Sequence, residues 1–314
     1  MQDRADSLLN RATSRAVAEA DGRARAARPP LAALLGSLVK NAIFAFYLYC
    51  GYVQLRDAVL SLLGRSRAVV LYYHRIGESD VLTKPPDEFR RDLEYLKKNY
   101  DCVSFSELCG RLRSGAPARR RSVVITFDDG YRDNFTEAVP VLREAGVTAT
   151  FFVATGFIDT RREFPHDLKE GREKARFPKL SWDDLRAMEA EGFEIGSHTV
   201  NHANLGKADD KTVEREVNES LAALNNHLGA RARCFSFPWG KPSDISERAV
   251  EAVRRAGYYA SASAYGGANG RGSDLFNIRR VDVGNGALRG LALRARAAGL
   301  DPDYFRLKMR DRKV

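Results

Sequence analysis

The chain has 314 residues, of which 44% are hydrophobic and 29% are charged. This length accommodates one α/β barrel domain, which takes roughly 200–250 residues, plus an appendage. The four cysteines, Cys50, Cys102, Cys109 and Cys234, form no CxxC pair, which excludes zinc-ribbon and disulfide-scaffold proteins. The formal net charge of +10 predicts attraction to anionic partners, but no nucleic-acid-binding motif accompanies it. We therefore expect no nucleic-acid partner.

The N-terminal part of the chain differs in composition from the rest. Residues 1–30 are rich in Ala and Arg and are predicted to be a mobile polar arm. Residues 31–55 contain one charged side chain, Lys40, and about 20 apolar residues are enough to span a bilayer as a helix. A central Lys costs about 3 kcal/mol in such a helix. Three interpretations therefore stay open for residues 31–55: an interfacial membrane helix, a helix packed on the main domain, and a spanning anchor. Residues 31–65 together are predicted to form an apolar helical region before the main domain.

From about residue 66 to residue 300, apolar runs alternate with amphipathic segments. Seven runs are predicted to be strands: 68–74, 122–127, 148–154, 193–198, 232–238, 258–263 and 276–283. Five helices are predicted between the strands. The first is capped by Asp87, the second covers 136–145 and ends at Gly146, and the third begins with a capping box of Ser181 and Asp184. The fourth begins at Asp209 or Asp210, and the fifth covers 246–256. The repeated strand–helix order predicts a parallel α/β sheet, open or closed as a barrel.

Two further segments stand apart from this pattern. Residues 159–179 are charged and irregular and are predicted to be an insertion loop. Residues 286–314 carry eight Lys or Arg against three Asp, which is +5 of the net charge. The last part of this segment, residues 301–314, is predicted to be a basic tail. Such a tail is attracted to an anionic membrane surface, which is therefore a predicted partner.

Polar residues directly follow several of the predicted strands. His74 follows the first strand, Asp128 and Asp129 follow the second, and His198 and His202 follow the fourth. Because active sites of α/β sheets and barrels lie at the carboxyl ends of the strands, we expect these side chains to meet at one rim.

Two of these segments have the composition of a metal site. Adjacent carboxylates repel each other unless a cation or a proton separates their roles, and Gly130 permits the turn that lets Asp128 and Asp129 both point inward. The imidazoles of His198 and His202 are four residues apart and can converge on one ion. Two His and one carboxylate leave open positions on a divalent metal, as hydrolysis requires.

Three motifs together resemble those of a known family: TFDDGY at 126–131, HTVNH at 198–202 and FPWG at 237–240. The family is that of the polysaccharide deacetylases, the NodB-homology domain of carbohydrate esterase family 4. The resemblance covers about residues 66–283. It implies a distorted (β/α) barrel, here with an N-terminal helical appendage. It also implies metal-dependent removal of N- or O-linked acetyl groups from sugars, and the expected substrate is an N-acetylated glycan.

The resemblance also implies roles for single residues. Asp128 becomes the catalytic base, which takes a proton from a metal-bound water. The implied ligands of one divalent ion, expected to be zinc, are Asp129, His198 and His202. Substrate binding is assigned to Tyr131, Pro238 and Trp239. In this family a backbone N–H after the Tyr position joins the metal in stabilising the oxyanion.

The first departure from the family concerns the partner of the base. The family carries an Arg two residues before the Pro of its third motif, and Ser236 stands there in this chain. Arg279 or Arg280 on the last predicted strand is the candidate replacement, and we assign Arg280 to the site. A solvated or phosphate-facing pair of arginines is the alternative.

The second departure concerns the acid that protonates the leaving amine. The family has a late His, but no histidine follows His227 here. The segment LYYHRIG resembles the first strand of a circularly permuted branch, typified by biofilm poly-N-acetylglucosamine deacetylases. His74, in that segment, is therefore the predicted acid. His166 is set aside because it lies in the insertion loop, and His227 because it ends a helix. Tyr131 or a carboxylic acid stays open as a substitute.

The leading hypothesis is a metal-dependent N-deacetylase acting on a polysaccharide or glycolipid that contains N-acetylhexosamine. One alternative is a glycan-binding relic of the same fold that has lost its catalytic acid. Another is a membrane-docking protein whose barrel is incidental. The expected location is the bacterial cell envelope at a face of the inner membrane, with the side left open.

Overall fold

A computed structural model describes the following residues: 39, 42–43, 45–65, 67–77, 83–115, 121–168, 176–229, 234–283 and 289–300. The chain divides into two compact units, residues 1–43 and residues 44–314. The predicted arm, the predicted tail and most of the apolar segment before residue 45 lie outside the described residues. Within the described ranges, no helix has both the length and the apolar composition that crossing a membrane requires.

The helices of residues 44–314 are α1 (Tyr52–Leu62), α2 (Pro86–Asn99), α3 (Phe105–Ser114), α4 (Val139–Ala145), α5 (Trp182–Ala190), α6 (Asp210–His227), α7 (Glu247–Arg255) and α8 (Arg289–Ala297). A π-helix, Asn134–Ala138, leads into α4, and short 3-10 helices cover Thr155–Phe157 and Pro242–Asp244. The strands are β1 (Val69–Tyr73), β2 (Arg75–Ile76), β3 (Thr83–Lys84), β4 (Asp101–Cys102), β5 (Ser122–Phe127), β6 (Thr150–Val153), β7 (Glu194–Ser197), β8 (Cys234–Ser236), β9 (Ala260–Ala262) and β10 (Arg280–Asp282).

The strands form a nearly closed parallel barrel. Seven of them pair in the order β10-β1-β5-β6-β7-β8-β9, β4 adds to β5, and every pair is parallel. The two ends of this series approach each other, because Ala262 in β9 forms a parallel bridge to Ile278, which leads into β10. The α/β barrel of the NodB-homology type is therefore confirmed as the fold.

Side-chain alternation along the strands separates two apolar cores, because successive residues of a strand point to opposite faces. Val69, Ile125 and Phe151 belong to the core between the barrel and its surrounding helices. Val70 and Phe152 point to the inside of the barrel and form a second core with residues of α3. Both faces of these strands are buried, which explains why the sequence shows continuous apolar runs.

The predicted capping and end signals agree with the structure at α4, α5 and α6 but not at α2. Ser181 and Asp184 form the capping box of α5, Asp209 caps α6, and Gly146 ends α4 in a left-handed conformation. The prediction that Asp87 caps a helix is wrong. The cap is Pro85, and Asp87 lies in the first turn, where its charge favours the positive end of the helix dipole.

The helix α1 packs on α8 within the same compact unit. Leu48 and Val53 are buried against Ala295 and Ala298. The guanidinium of Arg56 donates to the carbonyl oxygen of Ala298 at 2.8 Å. For residues from 45 onward, these contacts favour the interpretation of a helix packed on the main domain. The compact unit thus begins before the predicted domain limit at residue 66.

We predict that Val53→Ala lowers the free energy of unfolding by about 1.5 kcal/mol, because it removes two buried methyl groups at about 0.8 kcal/mol each. Val59→Ala, on the same helix, is the matched control, since Val59 is 45% exposed. Urea denaturation of the full chain measures both. Equal effects of the two substitutions would show that α1 does not pack on the barrel in solution.

Candidate active site

The two acidic residues of the first motif lie in a tight turn at the carboxyl end of β5. The N–H of Asp128 donates to the carbonyl oxygen of Tyr73 at 3.0 Å, which ties this turn to β1. Asp129 and Gly130 have φ angles of 77° and 87°, a region that residues with a Cβ rarely adopt. A Cβ at Gly130 would also lie 3.2 Å from the Cβ of Val153. The turn therefore requires glycine at this position.

Asp129, His198 and His202 converge at this rim, as the motifs predicted. One ligand atom from each of the three lies within 4.8 Å of the others. The Nε2 atoms of His198 and His202 are 3.6 Å and 3.3 Å from Oδ1 of Asp129. The site thus brings together one carboxylate and two imidazoles, from β5 and from the segment after β7.

Hydrogen bonding orients the ring of His198 toward Asp129. Its Nδ1 donates to the carbonyl oxygen of Ser236 at 2.8 Å, which leaves the lone pair of Nε2 on the side of Asp129. Burial, together with the charge of His202, lowers the pKa of His198 to about 4, although the neighbouring carboxylates oppose this. His198 is therefore neutral at pH 7, which is the form that binds a metal.

The segment between the two histidines is held by a buried acid from α6. One carboxylate oxygen of Glu216 accepts the N–H groups of Val200 and Asn201 at 3.0 and 2.7 Å, and the other accepts the side-chain amide of Asn201 at 2.8 Å. Thr199 and His202 have φ angles of 68° and 55°. Glu216 thus stabilises a strained loop that brings both imidazoles to one point.

The environment of Asp129 suits a bound cation. Its side chain is 1% exposed, and neither carboxylate oxygen accepts a hydrogen bond from the described part of the chain. Burial opposes ionisation, yet the imidazoles of His202 and His166 hold the pKa of Asp129 well below its usual range. A buried, ionised carboxylate without donors is costly unless a cation or ligand compensates it. The residues present therefore fit a divalent metal ion.

Asp128 has a different partner, Arg280 from β10. The two guanidinium nitrogens Nη1 and Nη2 donate to Oδ1 and Oδ2 of Asp128, each at 2.7 Å. Nη2 also donates to the hydroxyl of Ser236 at 2.7 Å. The structure thus resolves the choice between the two late arginines. Arg280 is fully buried beside Asp128, whereas the guanidinium of Arg279 lies over the ring of Tyr265.

These contacts determine the charge state of Asp128. Burial by itself would raise the pKa of this carboxyl group, but the charges of Arg280, His198 and His74 outweigh it, and the pKa is lowered. Asp128 is therefore ionised at neutral pH. Each of its oxygens has lone pairs beyond the one that accepts from Arg280, so the carboxylate retains the capacity to take a proton.

His74 follows β1 at the same rim. Its carbonyl oxygen accepts the side-chain amide of Asn134 at 2.9 Å, and its ring lies edge-on to Tyr72 with 5.6 Å between the ring centroids. His74 is half-buried, and its charge contributes to the lowered pKa of both Asp128 and Asp129. The structure thus places His74 near Asp128 and Asp129, at the rim where the sequence predicted it.

His166 also belongs to the site, and the reason given for setting it aside was wrong. In the described part of the insertion loop, Nε2 of His166 lies 3.5 Å from Oδ2 of Asp129 and 2.9 Å from the Tyr131 hydroxyl. The ring stacks on Phe164, which in turn stacks on Phe157. The aromatic residues within an otherwise charged loop were the sequence signal that it packs against the domain.

The three predicted substrate-binding residues differ in their exposure. Tyr131 is 0% exposed, and its hydroxyl contacts Asp167 and His166. Pro238 is also buried. Trp239, by contrast, is 51% exposed and lies edge-on to His202, with 5.4 Å between the ring centroids. Of the three, Trp239 alone has an exposed side chain.

The backbone N–H that follows the Tyr position is not available for an oxyanion either. This group belongs to Arg132, and it donates to the carbonyl oxygen of Pro178 at 2.8 Å. The hydrogen bond ties the first motif to the end of the insertion loop. The implied role is therefore corrected for Arg132.

Comparison with known proteins agrees with this geometry. Residues 115–261 match the family model for polysaccharide deacetylase. The YxkH protein of Bacillus subtilis strain 168 is 28% identical over 218 residues, which are 69% of this chain and 71% of YxkH. The poly-beta-1,6-N-acetyl-D-glucosamine N-deacetylase of Escherichia coli K12 is 24% identical over 226 residues, covering 62% of this chain and 33% of that protein. The structure of IcaB from Ammonifex degensii has a TM-score of 0.62 at 26% identity, covering 74% of this chain and 98% of that chain.

Residues 115–261 are therefore similar to the polysaccharide deacetylases, as the sequence motifs indicated. The matched residues 115–261 include all three motifs but neither β1 nor β10. These two strands nevertheless pair with each other, and β1 pairs with β5. His74 and Arg280 are thus supplied by strands outside the matched range.

We predict that Arg280→Gln destabilises the fold by about 3–5 kcal/mol at neutral pH, because it leaves the buried Asp128 carboxylate without its counter-charge. Because the pKa of Asp128 is lower in the folded protein than in the unfolded chain, its ionisation stabilises the fold at pH values above about 4, the ordinary carboxyl pKa. This stabilisation is lost as the pH falls through the pKa of Asp128 in the folded protein. The difference between wild type and variant should therefore shrink on acidification.

Urea denaturation over a series of pH values measures this effect. Arg279→Gln is the matched control, since it removes the same charge one residue away. A destabilisation by Arg280→Gln that does not change with pH would mean that the pair with Asp128 is not its cause.

Proposed function

We propose that this protein is a metal-dependent carbohydrate N-deacetylase that hydrolyses the acetamido group of an N-acetylhexosamine. The observation that carries the proposal is the contrast between the two adjacent carboxylates. Asp128 is paired with a guanidinium, whereas Asp129 faces two imidazoles and accepts no hydrogen bond within the described residues. One acid is thus suited to proton transfer and the other to binding a metal ion.

Asp129, His198 and His202 would hold the metal ion, and zinc is the ion we propose, since a carboxylate with two imidazoles is a frequent catalytic zinc set. Such an ion supplies Lewis-acid polarisation of the acetyl carbonyl and activation of a water molecule. His198 takes part in its neutral form, because the hydrogen bond from Nδ1 to Ser236 and its lowered pKa keep Nε2 unprotonated.

Asp128 would act as the general base, taking a proton from the attacking water on a free lone pair of its carboxylate. Arg280 keeps this carboxylate ionised and fixes its plane through two hydrogen bonds of 2.7 Å. As the carbon–nitrogen bond breaks, the amine needs a proton, and His74 is the proposed donor. Acetate and the free amine of the sugar are the products.

The proposed substrate is an N-acetylated glycan. The exposed ring of Trp239 beside His202 offers an aromatic surface for a sugar ring at the edge of the site. The E. coli relative is named for a poly-beta-1,6-N-acetyl-D-glucosamine substrate. We therefore propose N-acetylglucosamine polymers as the first substrates to test. A glycan-binding relic is disfavoured, because the base, its partner and all three proposed ligands are present.

We also propose a location at a membrane face of the bacterial cell envelope. The apolar composition of residues 31–55 supports it, as does a group of exposed aromatic and aliphatic side chains in and around α1: Phe46, Tyr49, Tyr52, Leu55, Leu62 and Leu63. Exposed apolar patches of this kind are typical of interaction sites.

We predict that Asp128→Asn abolishes most acetate release, by about 10²-fold or more, while retaining bound metal, because it removes a base and not a ligand. Asp129→Asn, which changes the adjacent residue in the same way, should lose metal and activity together. Metal analysis and acetate release from β-1,6- and β-1,4-linked N-acetylglucosamine oligomers measure the two effects.

The proposed function fails if the wild-type protein with bound metal releases no acetate from any N-acetylated glycan in a broader panel. Activity that survives complete chelation would contradict metal dependence. Loss of metal from Asp128→Asn, with metal retained in Asp129→Asn, would reverse the two assignments.

We predict that His74→Ala lowers amide hydrolysis by about 10²–10⁴-fold but affects an activated acetyl ester much less, because an activated leaving group needs no proton. His166→Ala is the comparison, since His166 is the other imidazole at the rim that is not a proposed ligand. If the selective loss on the amide occurs in His166→Ala instead, the proton donor is His166.

A further inference from the structure

We propose that a cavity at the amino-terminal end of the barrel binds the phosphate-bearing headgroup of an anionic membrane phospholipid. We call it the basal cavity; α1 and α8 form part of its wall, and its charged lining residues are Asp57, Arg67, Arg121 and Arg294. Its volume is about 670 Å³, which lies in the range of about 300–1,000 Å³ for small-molecule sites. The inference rests on the proposed membrane location and not on deacetylase activity.

The basal cavity lies at the opposite end of the barrel from the candidate active site. Arg67 and Arg121 precede β1 and β5, whereas His74 and Asp128 directly follow the same strands. Since β5 has six residues and a strand rises about 3.3 Å per residue, the two sites are roughly 20 Å apart. The cavity is therefore not part of the active site.

Positive charge dominates the lining of the basal cavity. Three arginines face a single carboxylate, Asp57, among its lining residues. Asp57 already pairs with Arg56 at 2.7 Å as well as with Arg121 at 3.1 Å. The lining thus has an excess of positive charge that an anion would neutralise.

Arg121 carries the strongest indication of a missing anionic partner. Its side chain is 7% exposed, and one Nη donates to Asp57 and to the carbonyl oxygen of Ala298. Its Nε is buried and has no hydrogen-bond acceptor within the described residues. A buried donor without an acceptor destabilises the fold. A phosphate oxygen in the cavity would remove that destabilisation and would pair bidentately with a guanidinium.

The remaining lining and the surroundings suit a lipid better than a free anion. Leu48, Val53 and Leu60 contribute apolar wall, and Leu62 at the cavity is 88% exposed. Further apolar side chains on α1 and just after it are exposed, including Leu63. An amphipathic surface of this kind buries its apolar side chains at the boundary between headgroups and acyl chains. A free phosphate would leave these side chains in water.

The terminal segments of the chain are poor candidates for the same cavity because their charge has the wrong sign. Residues 1–30 contain six Arg against four Asp or Glu, and residues 301–314 contain five Lys or Arg against three Asp. Both segments are therefore net positive, like the cavity. An anionic lipid complements all three.

The test measures binding of a soluble short-chain phosphatidylglycerol to the full chain by titration calorimetry. Short-chain phosphatidylcholine, glycerol phosphate and inorganic phosphate are the comparison ligands. The variant is Arg67→Gln with Arg294→Gln, which changes two exposed residues and leaves the buried Arg121 in place. The matched control is Arg215→Gln with Arg248→Gln, which removes the same charge from α6 and α7.

We expect saturable binding of phosphatidylglycerol that the Arg67/Arg294 variant weakens by about tenfold or more, and that the control variant leaves unchanged. Acetate release from a soluble glycan should be the same in all these proteins, which separates this proposal from the proposed activity. Equal binding of phosphatidylcholine, equal losses in both variants, or binding of glycerol phosphate or inorganic phosphate as tight as that of the lipid would overturn the proposal. If the full chain does not bind phosphatidylglycerol, the proposal is also overturned, and a terminal segment of the chain becomes the candidate occupant of the cavity.

Discussion

The buried pair of Arg280 and Asp128 is the interaction on which the architecture of the site depends. All five N–H groups of the guanidinium have acceptors: both oxygens of Asp128, the hydroxyls of Thr126 and Ser236, and the carbonyl oxygen of Ser263. These acceptors belong to β5, β8 and the end of β9, and Arg280 itself belongs to β10. A buried charge that loses its partner is strongly destabilising. The same guanidinium therefore closes the barrel and holds the proposed base, Asp128, in place.

The two acids of the first motif differ because the turn between them points their side chains to different neighbours. The left-handed conformation of Asp129 directs its carboxylate to the imidazoles of His198 and His202, while Asp128 stays in line with β5 and meets Arg280. Both carboxylates are ionised, but for different reasons: a bidentate guanidinium in one case and nearby imidazoles in the other. A single glycine-assisted turn thus creates two chemical environments from two identical residues.

Much of the barrel and the proposed metal ligands could be predicted because their signals are local. Strands buried on both faces read as apolar runs, and the two motifs follow them directly. Helix α3 was not predicted, although Ser104 caps it through the N–H of Glu107 at the spacing of a capping box. The misassigned cap at Asp87 has a similar origin, since proline at the first helical position supplied a competing start signal.

The remaining parts of the site could not be predicted because they depend on contacts between distant segments. Asp128 and Arg280 are 152 residues apart in the sequence. The register of β10 on β1 aligns Arg280 with Val70, which faces the inside of the barrel. This register alone decides that the side chain of Arg280, and not that of its neighbour, enters the barrel. The same limit applies to His166, whose loop has no periodic pattern. Aromatic stacking brings it to the rim, and stacking partners are not encoded in sequence spacing. Local patterns thus identify the residues proposed to bind the metal ion and to transfer protons, whereas the positions of Arg280 and His166 follow from contacts between distant segments.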